Sequence, residues 1–221
     1  MNPAVGLVES YLRLNGFFTV TEFQVQYPLA EQAGRYDTAT DLDILAVRLP
    51  HAAETVLRHS RKPGEARCEI AVAEDPALGL VHHMPDILIA EVKEGAAALN
   101  AGLLRVDVLQ AALRRIGCCP EDHIGEAVEA LRHRGEFIVE QRRGIPCRIR
   151  LASFAGRIDE SPPPAALAIT FAHILGFITH QMHAYREIWR SAQFGDPALA
   201  LLKLADKLGL RLAPVSGSDR S

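Results

Sequence analysis

The order of apolar and polar positions along the chain predicts alternating helices and strands. Apolar residues recur at helical spacing over residues 5–14, and Asn15 and Gly16 then end the predicted first helix. Four segments rich in β-branched, aromatic or aliphatic residues predict strands, at 17–25, 42–47, 85–92 and 147–154. Residues 27–40 are polar and are interrupted by proline and glycine, so we expect a loop there.

The second half of the chain is predicted to be mainly helical. Helices are expected at 106–116, 122–134, 165–192 and 197–208, with a flexible tail at 211–221. Residues 50–85 form an insertion between the second and third strands, with a short helix expected at 52–59 and a strand at 67–73. This order predicts an α/β domain at 1–158 around one mixed sheet, followed by a helical C-terminal extension at 165–210.

The composition indicates an ordinary globular protein. With 221 residues, of which 48% are hydrophobic and 23% charged, the chain can bury a full core without disulfide bonds. Its four cysteines are too few and too scattered for a disulfide scaffold, so we expect buried thiols and a reducing cytoplasm. The net charge of −3 predicts no field from the whole molecule that would steer it to nucleic acid.

Patterns typical of secretion or membrane insertion are not found in the sequence. The N-terminal stretch carries Glu9 and Arg13 within a short amphipathic segment, which is unlike a secretory signal. The apolar run at 165–178 is shorter than the roughly 20 residues that span a bilayer. We therefore expect a buried core helix in this run and no membrane partner.

Three acidic residues and one lysine are candidates for chemistry. Asp43 lies inside the second predicted strand, where a charge is costly unless a partner compensates it. Glu91 and Lys93 are two residues apart at the end of the third strand, so their side chains share a face, and Glu9 lies on the first helix. Converging carboxylates favour a divalent cation such as Mg²⁺ or Mn²⁺, which can activate water for attack on phosphorus.

These residues resemble the PD-(D/E)XK nuclease superfamily, which has the restriction-endonuclease-like fold. Asp43 lies in TDLDILAV, and Glu91-x-Lys93 lies in IAEVKEG, after an apolar strand. The resemblance covers about residues 5–154 and implies a core of helix, three strands, helix and strand. It implies metal-dependent hydrolysis of nucleic acid, with DNA expected rather than RNA. Asp43 and Glu91 would be metal ligands, Lys93 the catalytic lysine and Glu9 the acid that many members place on their first helix.

Two other aspartates compete for the role of Asp43. Asp41 has the same strand parity as Asp43 but lies nearer the predicted loop, so Asp43 is favoured. Asp86 follows a proline close to Glu91-x-Lys93, but on an extended strand it would lie about 16 Å from Glu91 and point to the opposite face. The long gap between Asp43 and Glu91 departs from the superfamily pattern and requires the insertion.

Simpler explanations exist for several of these residues. Glu91 and Lys93 can be the solvated end of a strand, and Asp43 can be a buried acid satisfied by backbone amides. Glu9 can pair with Arg13 across one helical turn. Three histidines and one glutamate in the C-terminal part could form a metal site, but a polar stripe on a helix is the favoured explanation. These residues are His173, His180, His183 and Glu187.

A local excess of arginine suggests contacts with phosphates. Candidates for binding nucleic acid are Arg114, Arg115, Arg142 and Arg143. The first alternative function is a non-catalytic nucleic-acid- or protein-binding module on the nuclease fold. The element order around these arginines also resembles a winged helix, which gives a DNA-binding regulator as the second alternative. The C-terminal helices are expected to cover the sheet or to form a homodimer.

Overall fold

The structure is a computed structural model that describes residues 2–28, 35–52, 55–59, 66–70, 73–140, 146–159, 164–191 and 196–210. The strands are β1 (Phe17–Pro28), β2 (Tyr36–Arg48), β3 (Thr55–His59), β4 (Ala66–Ile70), β5 (Asp86–Ala96), β6 (Glu136–Val139), β7 (Cys147–Arg157) and β8 (Leu167–Thr170). The α-helices are α1 (Pro3–Leu14), α2 (Val106–Ile116), α3 (Ile124–Arg134), α4 (Phe171–Ala184), α5 (Arg186–Ser191) and α6 (Pro197–Lys207). Short 3₁₀ helices lie at Pro76–Leu78 and Glu121–His123.

Six strands form one mixed sheet, as the sequence predicts for an α/β protein. The order is β1-β2-β5-β7-β6, and β8 also pairs with β7. Strands β1, β2 and β5 are antiparallel neighbours, whereas β7 runs parallel to β5. On its other edge, β7 pairs first with antiparallel β6 and then with parallel β8. Strands β3 and β4 form a separate antiparallel pair.

Each face of the sheet carries its own apolar core. We call the side covered by α1 and α4 the α1 face; its core includes Val8, Leu12, Ile44, Leu88, Ala90, Phe154 and Ile178. We call the other side the α2–α3 face; its core includes Leu42, Ile87, Ile89, Leu109, Leu131 and Ile149. The alternation of Ile87, Leu88, Ile89 and Ala90 between these cores confirms that β5 is covered on both faces.

The structure corrects three predictions of secondary structure. Residues 36–40 extend β2 and are not loop, and residues 55–59 form a strand and not a helix. Leu167–Thr170 is strand β8, so the segment at 165–210 is not wholly helical. Periodicity cannot separate a short apolar strand from the start of a buried helix, and here Thr170 marks the boundary. Its side chain accepts a hydrogen bond from the His173 backbone N–H and caps α4.

The end of the insertion is tied to the α1 face through the buried Asp75. The Tyr11 hydroxyl donates to Asp75 Oδ2 at 2.8 Å, and His173 Nε2 lies 2.7 Å from the same oxygen. The Asp75 backbone N–H donates to Asn15 Oδ1 at 2.8 Å, and the Ala73 N–H donates to Gln181 Oε1 at 3.1 Å. Helix α4 and residues 73–78 therefore pack in the same core as α1.

The helices that the structure describes include none with both the length and the apolar character needed to cross a bilayer. The predicted tail at 211–221 lies outside the described residues.

Candidate functional site

The backbone brings Asp43 next to Glu91-x-Lys93 at the point where two strands separate. Strand β2 pairs with β5 up to Ile44, whose partner is Ala90, and no further. The next backbone N–H of β5 that faces β2 belongs to Val92, and it donates to Asp43 Oδ2 at 2.8 Å. A side-chain carboxylate thus replaces a strand carbonyl as the acceptor, which places Asp43 against Val92, the residue between Glu91 and Lys93 in the sequence.

A local kink accompanies this separation. Glu22 of β1, which lies between the strand partners of Ile44 and Leu42, has a φ of +53°, in the left-handed region that few residues other than glycine adopt. On β2, Ile44 packs in the core of the α1 face, whereas Leu42 packs in the core of the α2–α3 face. Residues two apart on a regular strand share a face, so β2 turns sharply at Asp43.

Glu91 is a buried carboxylate that its surroundings satisfy on one side only. It follows Ile89 by two residues, which places it on the α2–α3 face, and it is 1% exposed. Its Oε2 lies 2.9 Å from Lys93 Nζ. Its Oε1 is buried without a hydrogen-bond partner, a condition shared in the described part of the chain only with His123 Nδ1. An unmet buried acceptor on a charged group costs about 1–3 kcal/mol or more.

The pKa of Glu91 also indicates that its charge is only partly compensated. Burial has the largest effect and raises the pKa of the Glu91 carboxyl above its ordinary value of 4.5. The Lys93 ammonium lowers the pKa through its hydrogen bond and its charge, while the Asp43 carboxylate raises it by a smaller amount. One further positive charge beside Glu91 and Asp43 would stabilise the buried carboxylate of Glu91. It would also offset the repulsion between the two carboxylates.

The motif end of β5 is held firmly against β7. Glu91 and Lys93 pair with Ser153 and Ala155 of β7, and an irregularity follows before Ala96. At Gly156, a Cβ atom would lie inside van der Waals contact of the Glu94 carbonyl oxygen, so only glycine fits this crossing. Sequence reasoning missed Gly156, because its requirement comes from a strand some 60 positions earlier and has no local signal.

Two carboxylates, one of which has an oxygen without a hydrogen-bond partner, are compatible with a divalent cation. In the described part of the chain, no group of three or more His, Cys, Asp or Glu side chains is arranged to hold a metal. Mg²⁺, however, commonly takes only one or two protein carboxylates and completes its octahedron with waters and substrate phosphates. The residues that would hold it are Asp43 and Glu91, and the fit rests on the buried, unpartnered Glu91 Oε1.

Glu9 is not brought to this pair. Its carboxylate accepts hydrogen bonds from Arg13 Nη2 at 2.7 Å and from the Thr19 hydroxyl at 2.9 Å. Helix α1 packs on the α1 face, whereas Glu91 projects from the α2–α3 face. The pairing across one helical turn, which was the simpler explanation of Glu9, is therefore present in the structure.

The competing aspartates take different positions. Asp41 is exposed. Asp86 is completely buried at the opposite end of β5, where Arg148 and Arg150 each donate two hydrogen bonds to its carboxylate. Asp86 points to the face opposite Glu91, as strand parity requires, because the two residues are five positions apart.

The predicted basic and histidine residues have separate partners or are exposed where the structure describes them. Arg114 forms an ion pair with Glu121, and Arg115 is exposed. Arg142 and Arg143 lie outside the described residues. His173 contacts Asp75, whereas His183 contacts Asp206. The elements that resemble a winged helix belong to the main sheet, since β7 lies between β5 and β6.

Comparison with known proteins gives no family assignment. No protein-family model matches the chain, and neither a curated protein nor a solved structure matches it.

Proposed function

We propose that the protein is a divalent-metal-dependent phosphodiesterase that acts on nucleic acid. Asp43 and Glu91 would hold Mg²⁺ or Mn²⁺, and Lys93 would assist the reaction. The observation that carries this proposal is the buried Glu91 carboxylate, whose Oε1 has no hydrogen-bond partner although it lies in a core. Most buried polar atoms in native proteins have a hydrogen-bond partner, and a bound ion is one explanation of an atom that lacks one.

The arrangement suits attack of water on a phosphodiester. A bound divalent ion would lower the pKa of a coordinated water and offset charge on the scissile phosphate. Lys93 is more than one-third exposed, so its ammonium can reach both Glu91 and a substrate oxygen outside the strand. Its charge would stabilise the transition state, while the Val92 N–H fixes the orientation of the Asp43 carboxylate.

The resemblance to the PD-(D/E)XK superfamily supports the same proposal. Helix α1 precedes three antiparallel strands, and β7 follows the helices and runs parallel to β5. This order agrees with the core that the resemblance implies. The aspartate lies on the second of these strands and the Glu-x-Lys couple on the third, as the motif requires.

One observation favours a non-catalytic module on the same fold. The Lys93 ammonium is 2.9 Å from Glu91 Oε2, so an internal ion pair already offsets part of the charge that a metal would neutralise. A binding module would keep this ion pair and would bind nucleic acid without a metal requirement.

Titration with Mn²⁺ separates the two functions. Binding to the wild-type protein and to Asp43→Asn, Glu91→Gln and Lys93→Met would be followed by calorimetry, and cleavage of labelled duplex DNA, single-stranded DNA and RNA would be assayed in parallel. We expect Asp43→Asn and Glu91→Gln to lose both Mn²⁺ binding and cleavage. Lys93→Met should keep Mn²⁺ binding and lose on the order of 100-fold in rate.

Asp41→Asn is the matched control, because Asp41 lies on the same strand but is exposed. It should leave binding and cleavage unchanged. Mn²⁺ binding that survives in Glu91→Gln would reject the proposed site, and metal-independent binding of nucleic acid without cleavage would identify the non-catalytic module.

A further inference from the structure

A cavity of about 480 Å³ lies among the C-terminal helices α4, α5 and α6. Its volume is within the roughly 300–1,000 Å³ that is typical of small-molecule sites. Met182 and Trp189, which line it, belong to the core of the α1 face, so the cavity opens at the rim of that core. Glu91 projects from the α2–α3 face, and the cavity is therefore separate from the candidate metal site. The described residues that line the cavity are Met182, Arg186, Trp189, Lys203, Asp206 and Lys207.

The cavity concentrates positive charge on a chain whose net charge is −3. Three of the described lining residues are cationic, and only Asp206 among them is anionic. Lys203 and Lys207 are four residues apart on α6, so they share one side of that helix. Arg186 is the first residue of α5 and lines the same space. Positive groups from two helices therefore converge here.

The protein offsets little of this charge. In the described part of the chain, no carboxylate lies within ion-pair distance of Arg186 or Lys207, and the Asp206 carboxylate is 3.7 Å from His183 Nε2. Lys207 lies in the last turn of α6, where the helix dipole favours a cation. The same effect does not account for Arg186, because that residue is at the start of its helix. An anion from outside the chain would complete the cluster.

We propose that this cavity binds the phosphate group of a ligand. The guanidinium of Arg186 can donate to two phosphate oxygens at once, while each lysine supplies a point charge. A phosphate monoester carries nearly two negative charges at neutral pH, which matches the excess of two positive charges among the described lining residues. A carboxylate carries only one. The anion would also offset the repulsion between Lys203 and Lys207.

Trp189 gives a direct signal from this cavity, because it lines the space and is the one tryptophan in the chain. Pyrophosphate is the ligand for the test, titrated into the full chain in the presence of EDTA, so that no metal is bound at Asp43 and Glu91. We expect a saturable change in tryptophan fluorescence and the same Kd by calorimetry. The affinity should weaken as salt is raised.

Competition identifies the source of the phosphate. An oligonucleotide that reverses the fluorescence change would identify the backbone of nucleic acid, whose neighbouring phosphates together carry two charges. If single-stranded and duplex oligonucleotides both leave the signal unchanged, the ligand is a small phosphorylated molecule. Either result supports a phosphate site in this cavity.

Arg186→Gln and Lys207→Gln each remove one charge from an exposed side chain, so the fold should be unaffected. Each should weaken the binding of pyrophosphate about tenfold or more, because a charge-assisted hydrogen bond is lost. Arg115→Gln is the matched control, since Arg115 is an exposed cation of α2 on the other face of the sheet. This variant should bind pyrophosphate as the wild-type protein does.

The proposal is overturned if pyrophosphate leaves the tryptophan fluorescence unchanged or if either cavity variant keeps the wild-type affinity. It is also overturned if the control variant loses as much affinity as the cavity variants, or if succinate binds more tightly than pyrophosphate. Glu91→Gln should bind pyrophosphate normally although it is expected to lose Mn²⁺. This proposal and the proposed function therefore fail independently.

Discussion

Strand β5 begins with a buried aspartate and carries a buried glutamate at its midpoint, just beyond the end of its pairing with β2, and the chain surrounds these two carboxylates differently. Asp86 receives four hydrogen bonds from Arg148 and Arg150, two to each oxygen. Glu91 receives one ion pair from Lys93 and leaves Oε1 without a partner. Both residues are almost inaccessible, so burial alone does not distinguish them.

The difference lies in what completes each carboxylate. At Asp86 the protein supplies every partner, and the arginines also bind the carbonyl oxygens of Leu78 and Gly79, which ties the insertion to the sheet. Such a group is structural. Midway along β5 the chain leaves Glu91 Oε1 without a partner, and under the proposed function a metal ion supplies it. Under the proposed function, incomplete satisfaction rather than burial distinguishes the functional acid Glu91 from the structural Asp86.

The largest expected effect is a loss of stability when Asp86 is substituted. Asp86→Asn keeps the size of the side chain but leaves two nearly buried guanidinium groups without their counter-charge. We expect a loss of about 3–5 kcal/mol in the free energy of unfolding. Urea denaturation measures this loss, and Asp41→Asn on the neighbouring strand should stay within about 0.5 kcal/mol of wild type. A loss below 1 kcal/mol would show that the comparison of the two ends is wrong.

The next largest effect is the stabilisation that Mn²⁺ is expected to give by binding at Glu91. Mn²⁺ at about 100 times its Kd should stabilise the wild-type protein by about 2.7 kcal/mol and Glu91→Gln not at all. Asp86→Asn should gain the same increment as wild type, because the two ends are independent. Thermal unfolding with and without Mn²⁺ checks this prediction, and an equal gain in Glu91→Gln would place the metal elsewhere.

A smaller effect concerns pH. The pKa of Glu91 is raised in the folded protein, so the folded state holds a proton that the unfolded state has already released. Wild-type stability should therefore fall, relative to Glu91→Gln, as pH rises from the ordinary value of 4.5 through the raised folded pKa. Without metal, Glu91→Gln should be more stable by about 1 kcal/mol at pH 7 and equal below pH 4.

Urea denaturation of both proteins between pH 4 and pH 8 measures this difference. The gap should narrow when Mg²⁺ is added, since the cation offsets the buried charge. A gap that widens towards acid pH would contradict the stated cause of the shift.

The smallest effect is expected at Glu9. Glu9→Gln keeps an acceptor for Arg13 and Thr19 but removes an ion pair whose arginine is half exposed. We expect a loss of at most about 1 kcal/mol in stability and an unchanged affinity for Mn²⁺. Calorimetric titration of this variant with Mn²⁺ decides whether Glu9 belongs to the metal site. A tenfold weaker affinity for Mn²⁺ would show that Glu9 is a metal ligand.

Local patterns were sufficient for the parts of the fold that depend on local order. The strands around Asp43 and Glu91 follow from their apolar runs, and the shared face of Glu91 and Lys93 follows from their spacing. Parity also explains why Asp86 is not part of the site. By contrast, β8 was predicted as helix, because a short apolar run fits both structures until its cap is seen.

Features that depend on contacts across the sheet could not be predicted. The turn of β2 at Asp43 coincides with a positive φ in β1 and with the end of pairing with β5, and both features involve residues outside β2. The arginines of Asp86 come from more than 60 positions away. The sequence allows Glu9 to be a metal ligand or the partner of Arg13, and the pairing with Arg13 is visible only once α1 is placed in the fold.

Gly156 makes the position of Lys93 dependent on a residue that has no functional group. A side chain there would push away the Glu94 carbonyl and, with it, the segment from which the ammonium extends. Alanine at this position would misplace Lys93 while leaving every ionisable group intact. A mutational screen that scores only loss of activity would therefore count Gly156 among the catalytic residues. Mn²⁺ binding retained in Gly156→Ala would show that the glycine is needed only to leave space for the backbone of β5.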